Sequence, residues 1–259
     1  MRAMFAVLFA VLLVMAVIPH DDTFAAKSSK FKVSVDELKG PKTITLPNGQ
    51  VLERSVHIFY KKDFAKPPNV GGGGKGADTC YAVLAKGANW KVTEPYIVDS
   101  TNQAGLADDF VRTATSTSLE TWDVQVPAEI FGSEIAGVVD GLDTQTTDGK
   151  NEVMFGSIDD PGAIAVTITW GIFGGPPSGR QLVEWDAMFD DADFAWGNAD
   201  PAAMDFQNIA THEFGHAAGM GHPSNSCTEE TMYAFADVGE TKKRDLNTGD
   251  INGIKALYK

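Results

Sequence analysis

The chain has 259 residues, 43% of them apolar and 10% aromatic, with 35 acidic against 21 basic side chains and a formal charge of −14. That apolar content supports a packed core and excludes wholesale disorder. The acidic balance excludes a nucleic-acid binder, which needs clustered Lys and Arg to neutralise phosphates.

Arg2 precedes an apolar run from Ala3 to Ile18, followed by Pro19 and a polar stretch ending in Thr23-Phe24-Ala25-Ala26. A basic start, a hydrophobic centre and small residues at the end predict a signal peptide over residues 1–26, cleaved after Ala25 or Ala26, and hence a secreted protein. The run is short of the roughly 20 residues that span a bilayer; an uncleaved membrane anchor is the alternative. Export would carry Cys80 and Cys227 into an oxidising compartment, where an even count permits one disulfide between them.

Residues 27–75 read as a pro-like or accessory segment. Thr43–Leu46 and Val51–Tyr60 flank Pro47-Asn48-Gly49, and Asn-Gly between two extended runs predicts a hairpin. Pro67-Pro68 and Gly71-Gly72-Gly73-Gly74 continue neither strand nor helix and predict a linker. His57, alone in its strand, is expected to be a partly exposed surface residue.

The main domain is expected over residues 76–259. Pro95–Val98 predicts its first strand, and Leu106, Phe110, Ala114 and Trp122 mark the inner face of a helix over 106–124. The acidic, glycine-containing stretches Asp140–Asp143 and Asp148–Glu152 suit solvated turns, with calcium as a possible ligand, although they lack EF-hand spacing. Strands follow over 152–155, 163–173 and 181–189, with an acidic loop at Asp190–Asp193. After Pro201 a helix begins. Strand, helix, several strands and helix in that order predict an α+β sheet with helices packed on one face.

The helix after Pro201 carries His212-Glu213-Phe214-Gly215-His216, then Gly219 and His222. Four residues on a helix turn through about 40°, so His212 and His216 share one face. Neutral imidazoles are good zinc ligands. Gly219 can take the left-handed conformation that ends a helix, letting the chain reverse and present His222 as a third ligand. Glu213 then stands beside the metal as a general base, and the fourth position is left to water.

This pattern resembles the metzincin signature, and the sequence resembles the matrixins, the matrix-metalloproteinase branch of those zinc peptidases, in a compact microbial-type secreted form. Met232 in Thr231-Met232-Tyr233 matches the family's Met-turn. Leu246–Tyr258 is similar to its closing helix, Phe110–Asp123 to its first helix, and Ala187–Asp191 to its last strand. The similarity covers residues 88–259. It implies a metzincin catalytic domain with a mixed twisted sheet, a first helix, a zinc-motif helix and a C-terminal helix, one catalytic Zn2+ held by His212, His216 and His222, and Glu213 as catalytic base. It further implies a protein or peptide substrate lying extended along the edge strand Ala163–Thr169, and a monomer without a stable membrane partner once the signal is removed.

Two departures stand out. With only His20 and His57 outside the motif, no histidine cluster for a second zinc is expected, and nothing matches the Pro-Arg-Cys-Gly type of cysteine lock. A Cys80–Cys227 brace is therefore expected rather than a thiol switch. The alternative to an endopeptidase is a catalytically silent zinc-binding adhesion or inhibitory module, against which Glu213 speaks.

Overall fold

The computed structural model describes residues 29–62, 64 and 79–259. The expected signal peptide and the Gly71–Gly74 linker lie outside the described residues. In chain order the elements are β1 (Phe31–Ser34), α1 (Val35–Leu38), β2 (Thr43–Thr45), β3 (Val51–Lys61), β4 (Ala82–Val83), β5 (Glu94–Val98), α2 (Asp108–Asp123), β6 (Phe131–Glu134), β7 (Glu152–Asp159), β8 (Ala163–Ile172) and β9 (Gln181–Asp190). They continue with β10 (Trp196–Gly197), β11 (Met204–Asp205), α3 (Phe206–Ala217), β12 (Met220–Gly221), β13 (Phe235–Ala236) and α4 (Thr248–Leu257).

The main sheet is mixed and runs β13-β3-β8-β9-β7-β5-β6, with β1 also on β7 and β2 also on β3. β5, α2 and β6 form a parallel crossover unit, β7 and β9 extend the parallel part, and β8 runs antiparallel to β9. The hairpin at Asn48-Gly49 is present, with Thr43 opposite Glu53 and Thr45 opposite Val51. Gly49 has φ +82°, which a glycine adopts without steric cost.

On one face lie α2 and α3. Val111, Ala114, Leu119 and Trp122 of α2 are buried against Ile209, Ala210 and Phe214 of α3 and against Trp185 and Phe189 of β9. The i, i+3, i+4 spacing expected for α2 is thus its buried stripe, set by Val111 and Leu119 more than by Phe110, which is only partly buried. Trp122 Nε1 donates to the Thr211 carbonyl at 2.9 Å and ties the two helices together.

Helices alone do not cover the sheet. Its other face carries a second apolar cluster, where Phe31, Val33, Leu38 and Leu52 pack on Met154, Ile158, Val166, Ile168 and Met188. The segment before residue 62 supplies that cover and contributes β1 and β3 to the same sheet. With both faces covered, β8 is buried at every position, although its sequence alternates as a half-buried strand would.

α3 begins at Asp205, whose carboxylate accepts the Asn208 N–H at 2.9 Å and pairs with Arg244. It stops at Gly219, with φ +97°, after which β12 pairs with β4 and leads directly into His222. Cys80 and Cys227 are joined, with Cα atoms 5.4 Å apart, fastening the chain just before β4 to the loop beyond His222.

Candidate metal centre

Two turns of one buried helix and one reversal bring three imidazoles together. His212 Nδ1 lies 2.6 Å from the Thr231 carbonyl oxygen, and His216 Nδ1 lies 2.9 Å from that of Met220. A carbonyl only accepts, so both Nδ1 atoms carry the proton and both Nε2 atoms are bare lone pairs in the neutral ring. Those lone pairs converge on His222 Nε2, at 3.1 Å from His212 and 3.0 Å from His216. A single N–H on His222 can satisfy only one of them. Burial holds all three rings far below the ordinary histidine pKa, to about 3 for His222, so protonation offers no relief. Three convergent nitrogens with carbonyl-anchored Nδ1 atoms are the donor set of a zinc site, where tetrahedral nitrogens stand roughly 3.3 Å apart. The residues fit the ion.

Glu213 is fully buried beside this cradle. Thr167 Oγ1, from β8, donates to its Oε2 at 2.5 Å, while Oε1 has no partner among the described residues. Burial raises the carboxyl pKa to about 8, opposed by the Thr167 hydrogen bond. Met232 is fully buried as well, beneath α3 at Gly215. A Cβ on Gly215 would stand 2.2 Å from Met232 Sδ and 2.6 Å from Trp122 Cζ2, so only glycine lets the helix sit this close.

His57 is half-buried, as expected of a partly exposed strand residue, but it does not stand alone: its ring stacks on His216 with centroids 4.0 Å apart, and ring nitrogens of His57, His216 and His222 lie within 4.8 Å of one another. Its pKa is driven to about 4 by burial. Two residues on, Phe59 stacks on His212 at 3.8 Å and is fully buried. Both side chains leave the same face of β3, as residues i and i+2 of a strand must. The reading of Ala163–Thr169 as a free edge is corrected for the same reason. β3 lies antiparallel along β8 from Glu53 opposite Gly171 to Tyr60 opposite Ala163, with His57 opposite Thr167. Backbone hydrogen bonding across 100 residues of sequence overrides what a local pattern can suggest. The signal available in the sequence was a fourth histidine on a strand with β-branched and aromatic neighbours.

The acidic stretches after β6 form two groups that share Asp148. Lys150 pairs with Asp140, Asp148 and Glu152. Asp143, Asp148 and Glu184 form the second group, in which Asp143 Oδ2 and the fully buried Glu184 Oε1 have no hydrogen-bond partner among the described residues. Burial beside Asp143 lifts Glu184 to about 9. Glu184 was legible only as part of a strand.

A buried helix ended by glycine, with a third histidine beyond the turn and a methionine packed beneath, is the metzincin pattern. The sequence profile described as Matrixin matches residues 90–259, and the chain belongs to the matrixin family. It is 37% identical to Metalloendoproteinase 2-MMP of Arabidopsis thaliana over 91 residues, 32% of this chain and 21% of the relative. To human Matrilysin it is 38% identical over 73 residues, 28% of this chain and 26% of that one. Mouse Matrilysin aligns over 249 residues at 27% identity, covering 93% of this chain and 81% of the relative. The matched stretches thus span about a fifth to a quarter of the plant and human relatives, and most of the mouse one.

Proposed function

We propose that this chain is a secreted zinc-dependent endopeptidase in which His212, His216 and His222 hold the metal and Glu213 is the general base. The observation that carries the reading is the convergence of three Nε2 atoms beside the unpartnered Oε1 of Glu213. Zinc, when bound, supplies a Lewis acid that acidifies water and polarises a carbonyl. Glu213 Oε1 takes the proton of the attacking water and passes it to the leaving amine nitrogen. Thr167 holds the other oxygen of the carboxylate, so the base keeps one orientation through both transfers. A substrate would lie extended beside the histidines, and side-chain selection would fall to the walls around them. Met232 serves as the apolar floor under the ligand helix.

The test is Glu213→Gln. We expect purified parent protein to digest casein in a chelator-sensitive manner, and the variant to retain one zinc per chain while losing digestion. Undiminished turnover would remove Glu213 from the mechanism.

Secretion is proposed on the signal-like sequence of residues 1–26, with an uncleaved anchor as the alternative, and a monomer acting on protein or peptide substrates is the accompanying expectation. The relatives named above are from a plant and mammals, so the microbial-type form rests on resemblance alone. Calcium is assigned to Asp143, Asp148 and Glu184, whose crowded carboxylate oxygens are the hard donors that ion takes. Calcium should raise the melting temperature of the parent and not that of Glu184→Gln; equal shifts would reject the site.

A further inference from the structure

The end of the main sheet farthest from β13 is open. β6 is bonded on one side to β5, and among the described residues no strand takes its other side. The pairing with β5 carries past Glu134, because Ile135 N–H donates to the Tyr96 carbonyl at 2.9 Å. An apolar run, Ile135-Ala136-Gly137-Val138, then continues the edge with every residue exposed, Ile135 at 46% and Val138 at 74%. A Cβ on Gly137 would stand 2.4 Å from Ile97 Cδ1, so the run lies against β5. Consecutive apolar residues held in water mark a surface that another molecule covers.

Beside this edge, β6 and α2 enclose a cleft of about 450 Å3. A bulge shapes it: from Glu94 to Tyr96 β5 advances two residues, while β6 advances three, from Phe131 to Glu134. Residues three apart on a regular strand face opposite sides. With the extra residue, Phe131 and Glu134 both turn toward α2, the first into the core and the second onto Arg112. Arg112 is taken up by Glu134 and by Asp108 at 2.9 Å, whereas Glu120 and Asp123 on the same wall have no cationic partner among the described residues. Thr113 and Ser116 are short, which leaves the cleft open along the helix.

We infer that the β6 edge is a docking site for an extended, basic segment of another protein, which adds to the sheet as a further strand. Its apolar side chains would lie on Ile135 and Val138, and its Lys or Arg would enter the cleft against Glu120 and Asp123. The inference goes beyond the peptidase reading and does not rest on it. Charge selects the partner: a second copy would set these carboxylates against their own images and bring together two chains of formal charge −14. β6 is four places from β8 in the sheet, which at about 4.8 Å per strand puts the edge roughly 19 Å from the strand beside the histidines. A segment held there leaves the metal centre clear.

The experiment uses the full chain carrying Glu213→Gln, so that the probe is not cut, and a fluorescent peptide alternating Lys with Val. Anisotropy should show saturable binding, roughly tenfold or more tighter than that of the same peptide with Glu for Lys. Glu120→Lys and Ile135→Lys, both at exposed positions, should each weaken binding on the order of tenfold. Asp36→Lys, which reverses an exposed carboxylate of α1, should change it little. On binding, amide hydrogen exchange should slow over residues 131–138. Equal binding of the two peptides, equal weakening by Asp36→Lys, or slowed exchange confined to other segments would overturn the site. Dimers of the peptide-free protein in sedimentation, with exchange already slowed over 131–138, would assign the edge to a second copy and overturn the basic partner.

Discussion

Asp250, on the last helix, accepts the backbone N–H of Thr231 at 2.7 Å and that of Met232 at 3.1 Å. The same Thr231 peptide presents its carbonyl to His212 Nδ1. One carboxylate in α4 therefore fixes the turn that fixes a histidine, although the nearest of the three histidines, His222, is 28 residues away in sequence. Replacing Asp250 by Ala strands two buried N–H groups at about 1–3 kcal/mol each. Because loss of a partner that orients a ligand costs about 10–100-fold in metal affinity, a competitive zinc titration should show a drop in that range. An unstable variant with unchanged zinc affinity would disconnect α4 from the site.

Gly215→Ala should unfold at lower denaturant. Its methyl group would meet Met232 Sδ and Trp122 Cζ2 at distances no packed carbon tolerates, and overpacking of this kind costs about 1–3 kcal/mol. Met232→Leu, close in volume, should cost less than about 1.5 kcal/mol, whereas Met232→Ala should cost about 2–5 kcal/mol. Urea titrations of the three variants give the order, and an alanine at 215 as stable as glycine would refute the contact.

Reducing the Cys80–Cys227 bridge frees a loop whose ends are 147 residues apart. Loop-closure entropy sets the loss at up to about 5 kcal/mol, and removal of such bridges commonly costs about 2–5 kcal/mol. A double serine variant should melt well below the parent. Coincident melts would mean that the bridge adds nothing to the native state.

Asp123, at the end of α2, has its pKa raised to about 6 by burial, opposed by N–H donors from Ile130 and Phe131 and reinforced by Glu120 and Glu129. The folded chain thus holds this proton more tightly than the unfolded chain does. The resulting stability is complete below the unfolded value of 3.8 and is lost as pH rises through about 6. Asp123→Asn cannot titrate, so the difference in melting temperature between variant and parent should move in the variant's favour from pH 4 to pH 7. A constant difference would show that Asp123 titrates normally.

What the sequence made legible was local. His212, His216 and Gly219 announce themselves because a helical turn and a left-handed glycine act within a few residues, and Asn48-Gly49 marks its hairpin for the same reason. The helix α2 and the strand β9 follow from periodicity, whereas α4 rests on the family resemblance and the parallel pairing of β7 with β9 on neither. His57 and Phe59 were opaque because their meaning lies in pairing with Thr167 and Ala165, more than 100 positions away, and a strand carries no mark of its partner. Glu184 and Asp186 looked like ordinary alternation in a returning strand. Only the fold buries both and brings the loop carrying Asp143 over them. β1 was missed because Phe31 and Val33 are too short a run to stand out from their surroundings.

The double pairing of β3 also describes the shape it would leave behind. With that strand gone, β8 and β13 would face each other across a slot one strand wide, each offering main-chain donors and acceptors that no side chain dictates. An extended chain entering it would be gripped by features every peptide has. Discrimination among sequences would then fall mainly on the places now filled by Phe59 and His57, so tolerance along the chain and choice at a few positions are two aspects of one groove.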